Sequence, residues 1–170
     1  MRRYIRLVLT ALVGGVLIVG ITSNAFAQKP LKDQIVGTWT AISVENVNKD
    51  GSRRQEFGPS PKGMYIFEPN GYYVVVLTRP DVPKYASNDR LMGTAEENTA
   101  AAQGVLAFFG TYTVNEADHT LNFHIERSTF PNWSGTDQKR SVTITGDEMK
   151  YTNAAASGGG KAELVWKRAK

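Results

Sequence analysis

The sequence predicts an all-β protein, an antiparallel barrel of about eight to nine strands with one α-helix inserted at about residues 95–109. Three observations predict it. Short runs of apolar and β-branched residues recur along the chain, separated by turn-forming pairs such as Asp50-Gly51, Asn70-Gly71 and Gly146-Asp147. Gly37-Thr38-Trp39 opens the first run and Trp166-Lys167-Arg168 closes the last, which supplies an aromatic plug and a cation to seal one end of a barrel. The chain has no cysteine, so packing and closure of the sheet must hold it together without disulfides.

The first segment reads as a leader. Arg2, Arg3 and Arg6 precede an apolar run from Leu7 to Ile21, and Ala25-Phe26-Ala27 offers a small-x-small cleavage site before Gln28. The run is shorter than the roughly 20 residues of a bilayer span, and no cysteine follows it to take a lipid. A signal peptide over residues 1–27, cleaved after Ala27, is favoured over a retained anchor, with a periplasmic or secreted product and no stable membrane anchor afterwards. Taking 27 residues from 170 leaves 143, enough for one barrel domain over residues 28–170. The leader removes three arginines and no acid. The 20 basic and 16 acidic residues of the whole chain become 17 and 16, leaving no cationic excess for phosphates. Nucleic acid is therefore not an expected partner.

The strands follow in order. Ile35 to Val47 is rich in β-branched and apolar residues and ends at Asn48-Lys49-Asp50-Gly51. Lys62 to Phe67 and Tyr72 to Leu77 flank Glu68-Pro69-Asn70-Gly71, a hairpin in which Asn-Gly readily takes positive φ. Tyr72 to Leu77 is apolar on both parities, which predicts a strand covered on both faces. Thr94-Ala95-Glu96-Glu97 is a capping box that starts the helix. Its apolar residues, Val105, Leu106, Phe108 and Phe109, crowd into the last turns and are expected to press on the barrel or cap its mouth. Strands then resume as Phe109 to Asn115, His119 to Ser128, Gln138 to Thr145, Glu148 to Asn153 and Ala162 to Arg168, with a glycine-rich link at Ser157-Gly158-Gly159-Gly160.

Several blocks carry a resemblance. Phe57-Gly58-Pro59-Ser60-Pro61-Lys62-Gly63, Arg79-Pro80-Asp81 with Tyr85-Ala86-Ser87, Phe109-Gly110-Thr111-Tyr112, Phe130-Pro131-Asn132-Trp133-Ser134-Gly135-Thr136-Asp137-Gln138 and Glu163-Leu164-Val165-Trp166 resemble the bacterial lipocalin-like domain family. The likeness spans nearly all of residues 33–168. It implies a small calycin-like barrel with an internal cavity, and it transfers no settled activity and no catalytic residues.

Read as residues, Trp39 is a structural floor plug covered by Arg168 or Lys167, with ligand stacking as its alternative. In His119 to Ser128, Leu121, Phe123 and Ile125 share one face and Asn122, His124, Glu126 and Ser128 the other. The default sends the apolar face inward and leaves His124 and Glu126 in solvent. A polar lumen would invert this and make His124 and Glu126 an acid/base pair. Arg140 shares parity with Val142 and Ile144, so it points the way core residues do. It needs either a carboxylate such as Glu126 or an anionic ligand. Arg79 stands at a strand end near the mouth, as a solvated rim charge or a ligand contact. Tyr85, Phe130 and Trp133 lie on loops bracketed by Pro and Gly and are candidate ligand walls, with Tyr112 as a further candidate.

Positions 119 and 124 have opposite strand parity, so the two histidines suggest no metal site, and no nucleotide, cofactor or hydrolase motif is present. Two functions remain in view. The first is an exported binder of a small hydrophobic or amphipathic molecule. The alternative is a cofactor-independent isomerase, cyclase or dehydratase using His124, Glu126, Tyr112 and Arg140. A barrel that meets a protein partner is a third, favoured by a filled lumen and an exposed apolar patch.

Overall fold

Alternating apolar and polar residues draw the chain into nine strands, seen in a computed structural model that describes residues 29–170. The expected leader over residues 1–27 and its expected cleavage site lie outside the described residues. A short helix α1 (Leu31–Ile35) leads into β1 (Gly37–Val47), followed by a two-residue β2 (Arg53–Arg54), β3 (Lys62–Phe67) and β4 (Tyr72–Thr78). Helix α2 (Ala95–Gly104) precedes β5 (Val105–Asn115) and β6 (Thr120–Ser128). A 3-10 turn (Pro131–Trp133) then links to β7 (Thr136–Thr145), β8 (Glu148–Asn153) and β9 (Lys161–Arg168). The sheet runs β2-β1-β3-β4-β5-β6-β7-β8-β9, and β1 also pairs with β9, so eight antiparallel strands close on themselves while β2 extends the mouth end of β1. Closure removes the exposed edges that a sheet of this length would otherwise present.

Antiparallel pairing fixes the two ends. Trp39 lies opposite Arg168 at the start of β1 and the end of β9, and the β3–β4, β5–β6 and β7–β8 hairpins gather at that same end with α1. The other end carries the longer links: residues 48–61, 79–104, 129–135 and 154–160. Aromatic side chains fill the space between. Tyr65 stacks on Phe67 at 4.2 Å and meets Trp166 edge-on at 5.3 Å, while Tyr73 meets Phe123 edge-on at 4.8 Å. Such pairs add about 0.5–1.5 kcal/mol each beyond the area they bury.

Three expectations are adjusted. The helix ends at Gly104, not near residue 109: Val105 is already extended (φ −134°, ψ 132°) and pairs with Thr78. β-Branched Val105 and the Phe108-Phe109 pair suit a pleated strand, and β4 offers them a ladder. The capping box at the other end is present, with Thr94 Oγ1 accepting from Glu97 N–H and Glu97 Oε2 accepting from Thr94 N–H. Strand β4 is covered on one face only. Tyr73, Val75 and Leu77 are buried, whereas Tyr72, Val74 and Val76 remain 54%, 39% and 39% exposed, because α2 sits at the mouth and leaves the outer sheet bare. Finally, a bulge between Phe109 and Gly110 leaves Glu126 without a partner residue, so Ser128 turns inward opposite Phe108.

Candidate functional site

The floor is sealed. The Arg168 guanidinium lies 4.1 Å from the Trp39 ring centroid and donates to the carbonyls of Val36 (3.0 Å) and Gln34 (2.6 Å). Trp39 Nε1 donates to the Ile35 carbonyl at 2.8 Å, so α1 is pinned beneath the ring by its own unpaired carbonyls. Gly37 makes room for this: its φ is +117°, and a β-carbon there would stand 3.2 Å from Arg168 Nη1. From the β5–β6 hairpin, the Glu116 carboxylate accepts the Leu31 and Lys32 amides, both at 2.8 Å, which holds its carboxyl below the usual range.

The opposite end is a funnel. An outer cleft of about 370 Å³ is lined by Arg54, Arg79, Gln103, Leu106 and Phe130. Glu56, Phe57, Leu106 and Ser157 belong both to this cleft and to an inner chamber walled by Leu77, Phe108, Trp133, Tyr151 and Leu164. The chamber holds about 20 Å³, room for about one water molecule. Trp133 roofs it, edge-on to Phe108 at 5.4 Å and to Phe130 at 5.7 Å. Asn46 and Asn153 place amides on its wall, and Asn46 Nδ2 donates to Glu56 at 2.7 Å.

Arg140 is 1% exposed and lines neither cavity, but it packs against three of the chamber's rings. Its guanidinium carbon is 5.1–5.6 Å from the centroids of Phe123, Phe108, Trp133 and Tyr151. Nη2 donates to Gln138 Oε1, and Nε and Nη1 have no acceptor. The Tyr65 and Tyr73 hydroxyls, also buried, lack partners too. Burial pushes the Tyr65, Tyr73 and Tyr151 phenols up, against the opposing pull of Arg140, so all three stay neutral near pH 7. No ion pair to Arg140 forms among the described residues, and Glu126 points outward.

The structure brings Trp133 and Arg140 together and puts Phe130 beside them. Arg79 lines the outer cleft, held in a two-point pair with Asp81 at 3.0 and 2.8 Å. Tyr85 packs across Gly93 and lines neither cavity. Tyr112 sits toward the floor, donating to the Glu68 carbonyl at 2.9 Å and edge-on to Phe67 at 5.0 Å. His124 and Glu126 lie on the outer face and do not form an acid/base pair in the lumen. His124 Nδ1 is instead 2.8 Å from Asp137 Oδ1 at the surface. Sequence reasoning passed over Asn46 and Asn153, although each is a polar residue on the buried parity of its strand, the same signal that singled out Arg140.

A closed eight-strand antiparallel barrel with a plugged floor and an open mouth defines the class of protein. Within that class the chain belongs to the lipocalin-like domain family, whose model matches residues 36–169. A curated relative from Aspergillus oryzae, described as a 4'-hydroxy-3'-methoxypropiophenone carrier protein, is 39% identical over 82 residues, covering 45% of this chain and 74% of that one. A solved structure of a mutant of the fluorescent protein UnaG aligns at TM-score 0.39 and 10% identity, over 81% of this chain and 98% of that one. The strand order already carries all that this second likeness would add.

Proposed function

We propose that this protein is an exported carrier that holds a small hydrophobic or amphipathic molecule at the mouth of its barrel. One observation carries the reading: an aromatic-walled chamber roofed by Trp133 continues into an outer cleft of about 370 Å³, within the range of small-molecule sites. The chamber alone admits about one water, so a ligand fills the cleft and enters by displacing Trp133 and the Ala156–Ser157 link. The aryl-ketone carrier of Aspergillus oryzae supports a flat aromatic ligand. The Arg2–Ala27 leader pattern supports action after export, which N-terminal sequencing of the secreted product checks.

Native mass spectrometry of protein purified without denaturation, together with Trp133 fluorescence during titration with aryl ketones and medium-chain acids, tests the carrier reading. A co-purified mass or a saturable change that Trp133→Phe abolishes is expected. No co-purified mass and no saturable response across the panel would sink it. The bare strip of Tyr72, Val74, Val76, Met64 and Phe109 favours a second reading, in which the outer sheet docks a partner. That reading predicts that Val74→Lys abolishes association and leaves the fluorescence titration unchanged.

A further inference from the structure

We propose that the carrier's ligand is an aromatic acid whose anionic head enters first and is neutralised by Arg140; this rests on the carrier reading above. The guanidinium is 1% exposed, and two of its three nitrogens have hydrogens with no acceptor. A buried cation is ordinarily matched by a carboxylate, since leaving it unpaired costs several kcal/mol. No acid among the described residues pairs with it: Glu56 lines the chamber but accepts from Asn46, and Glu126 is exposed on the outer face. The phenols of Tyr65, Tyr73 and Tyr151 stay protonated, so they supply hydrogen-bond donors but no charge. Gln138 and four ring faces are all that the fold supplies to the guanidinium.

A carboxylate supplies the missing countercharge. Nε and Nη1 lie on different edges of the guanidinium, so a carboxylate oxygen accepts from one of them, and the unpaired Tyr65 and Tyr73 hydroxyls can donate to the same head group. A neutral carbonyl would satisfy one donor and leave the charge. A flat aromatic body suits the rest of the path, because Phe57, Phe108, Trp133 and Tyr151 line the way in and offer ring faces and edges for stacking. A bare inorganic anion would satisfy the guanidinium and leave those walls unused. Opening is local: Trp133 is partly exposed on a three-residue turn, secured by Thr136 Oγ1 on its carbonyl at 2.7 Å.

Isothermal titration of the full mature chain with 4-methoxycinnamate, its methyl ester and inorganic phosphate tests the proposal. The acid is expected to bind at least about tenfold more tightly than the ester, as a charge-assisted contact implies. Arg140→Met should remove that preference by weakening acid binding, while Arg140→Lys keeps part of it. Equal affinity for acid and ester in the wild type overturns the proposal without needing any variant to fold, and so does acid binding unaffected by Arg140→Met. Phosphate binding as tight as the cinnamate overturns the aromatic assignment. If acid and ester both fail to bind while an aryl ketone still gives a saturable Trp133 response, this proposal falls and the carrier reading stands.

Discussion

Removing Arg140 is expected to make the empty protein more stable. In Arg140→Met an apolar but shorter side chain replaces the stem and gives up the guanidinium's place among Phe108, Phe123, Trp133 and Tyr151, while the charge and the two unsatisfied nitrogens disappear. Each unsatisfied buried donor costs about 1–3 kcal/mol. Against this, the variant loses the attraction of the rings, about 2 kcal/mol when desolvated, and one hydrogen bond to Gln138, whose half-buried amide can turn to water. Replacing buried charges with apolar side chains of similar volume has been neutral or stabilising by about 1–4 kcal/mol. We expect a gain of roughly 1–3 kcal/mol, which for a chain of this size raises the melting temperature by roughly 3–9 °C. Urea unfolding and calorimetry on ligand-stripped protein measure it. A loss of stability above about 1 kcal/mol would show that the fold itself uses the guanidinium, and the reasoning would be refuted.

Two further outcomes follow from the geometry. Gly110→Ala would place a β-carbon 2.0 Å from the His124 carbonyl and 2.9 Å from the Glu126 amide, both backbone atoms at the bulge, so a loss of about 2–3 kcal/mol is expected; an unchanged urea midpoint would contradict it. Glu116→Gln should lower the melting temperature at neutral pH, because the Leu31 and Lys32 amides hold the folded carboxyl below its ordinary value of 4.5. A depressed folded value means that this contribution is present above 4.5 and fades as pH falls through the lower value. Melts from about pH 7 to about pH 3 should therefore converge with the wild type at the acid end, and a constant offset would exclude the carboxylate as its source.

Much of the barrel was legible because strand alternation has period two and each buried face demands apolar residues. Leu121, Phe123 and Ile125 turn inward, and Arg140 joins Val142 inside, as parity requires. Tertiary facts escaped the sequence for identifiable reasons. The outer face of β4 is apolar without being covered, since composition cannot say whether a helix reaches it. Tyr112 falls near the floor because its register sets it beside the Glu68–Gly71 hairpin, a matter of pairing rather than residue type. Ser128 changes face at a bulge that no local pattern announces. Asn46 and Asn153 were open to the parity argument used for Arg140, whereas the unpartnered hydroxyls of Tyr65 and Tyr73 become visible only when the rings around them are placed.

The pairing of β1 with β9 has a directional consequence. Both Lys29 and Lys170 belong to the sealed end, where α1 and the close of β9 meet. Any segment preceding Lys29 thus joins the barrel opposite its opening, away from Trp133 and the outer cleft. A tag or immobilisation handle at either terminus leaves the entrance facing bulk solvent.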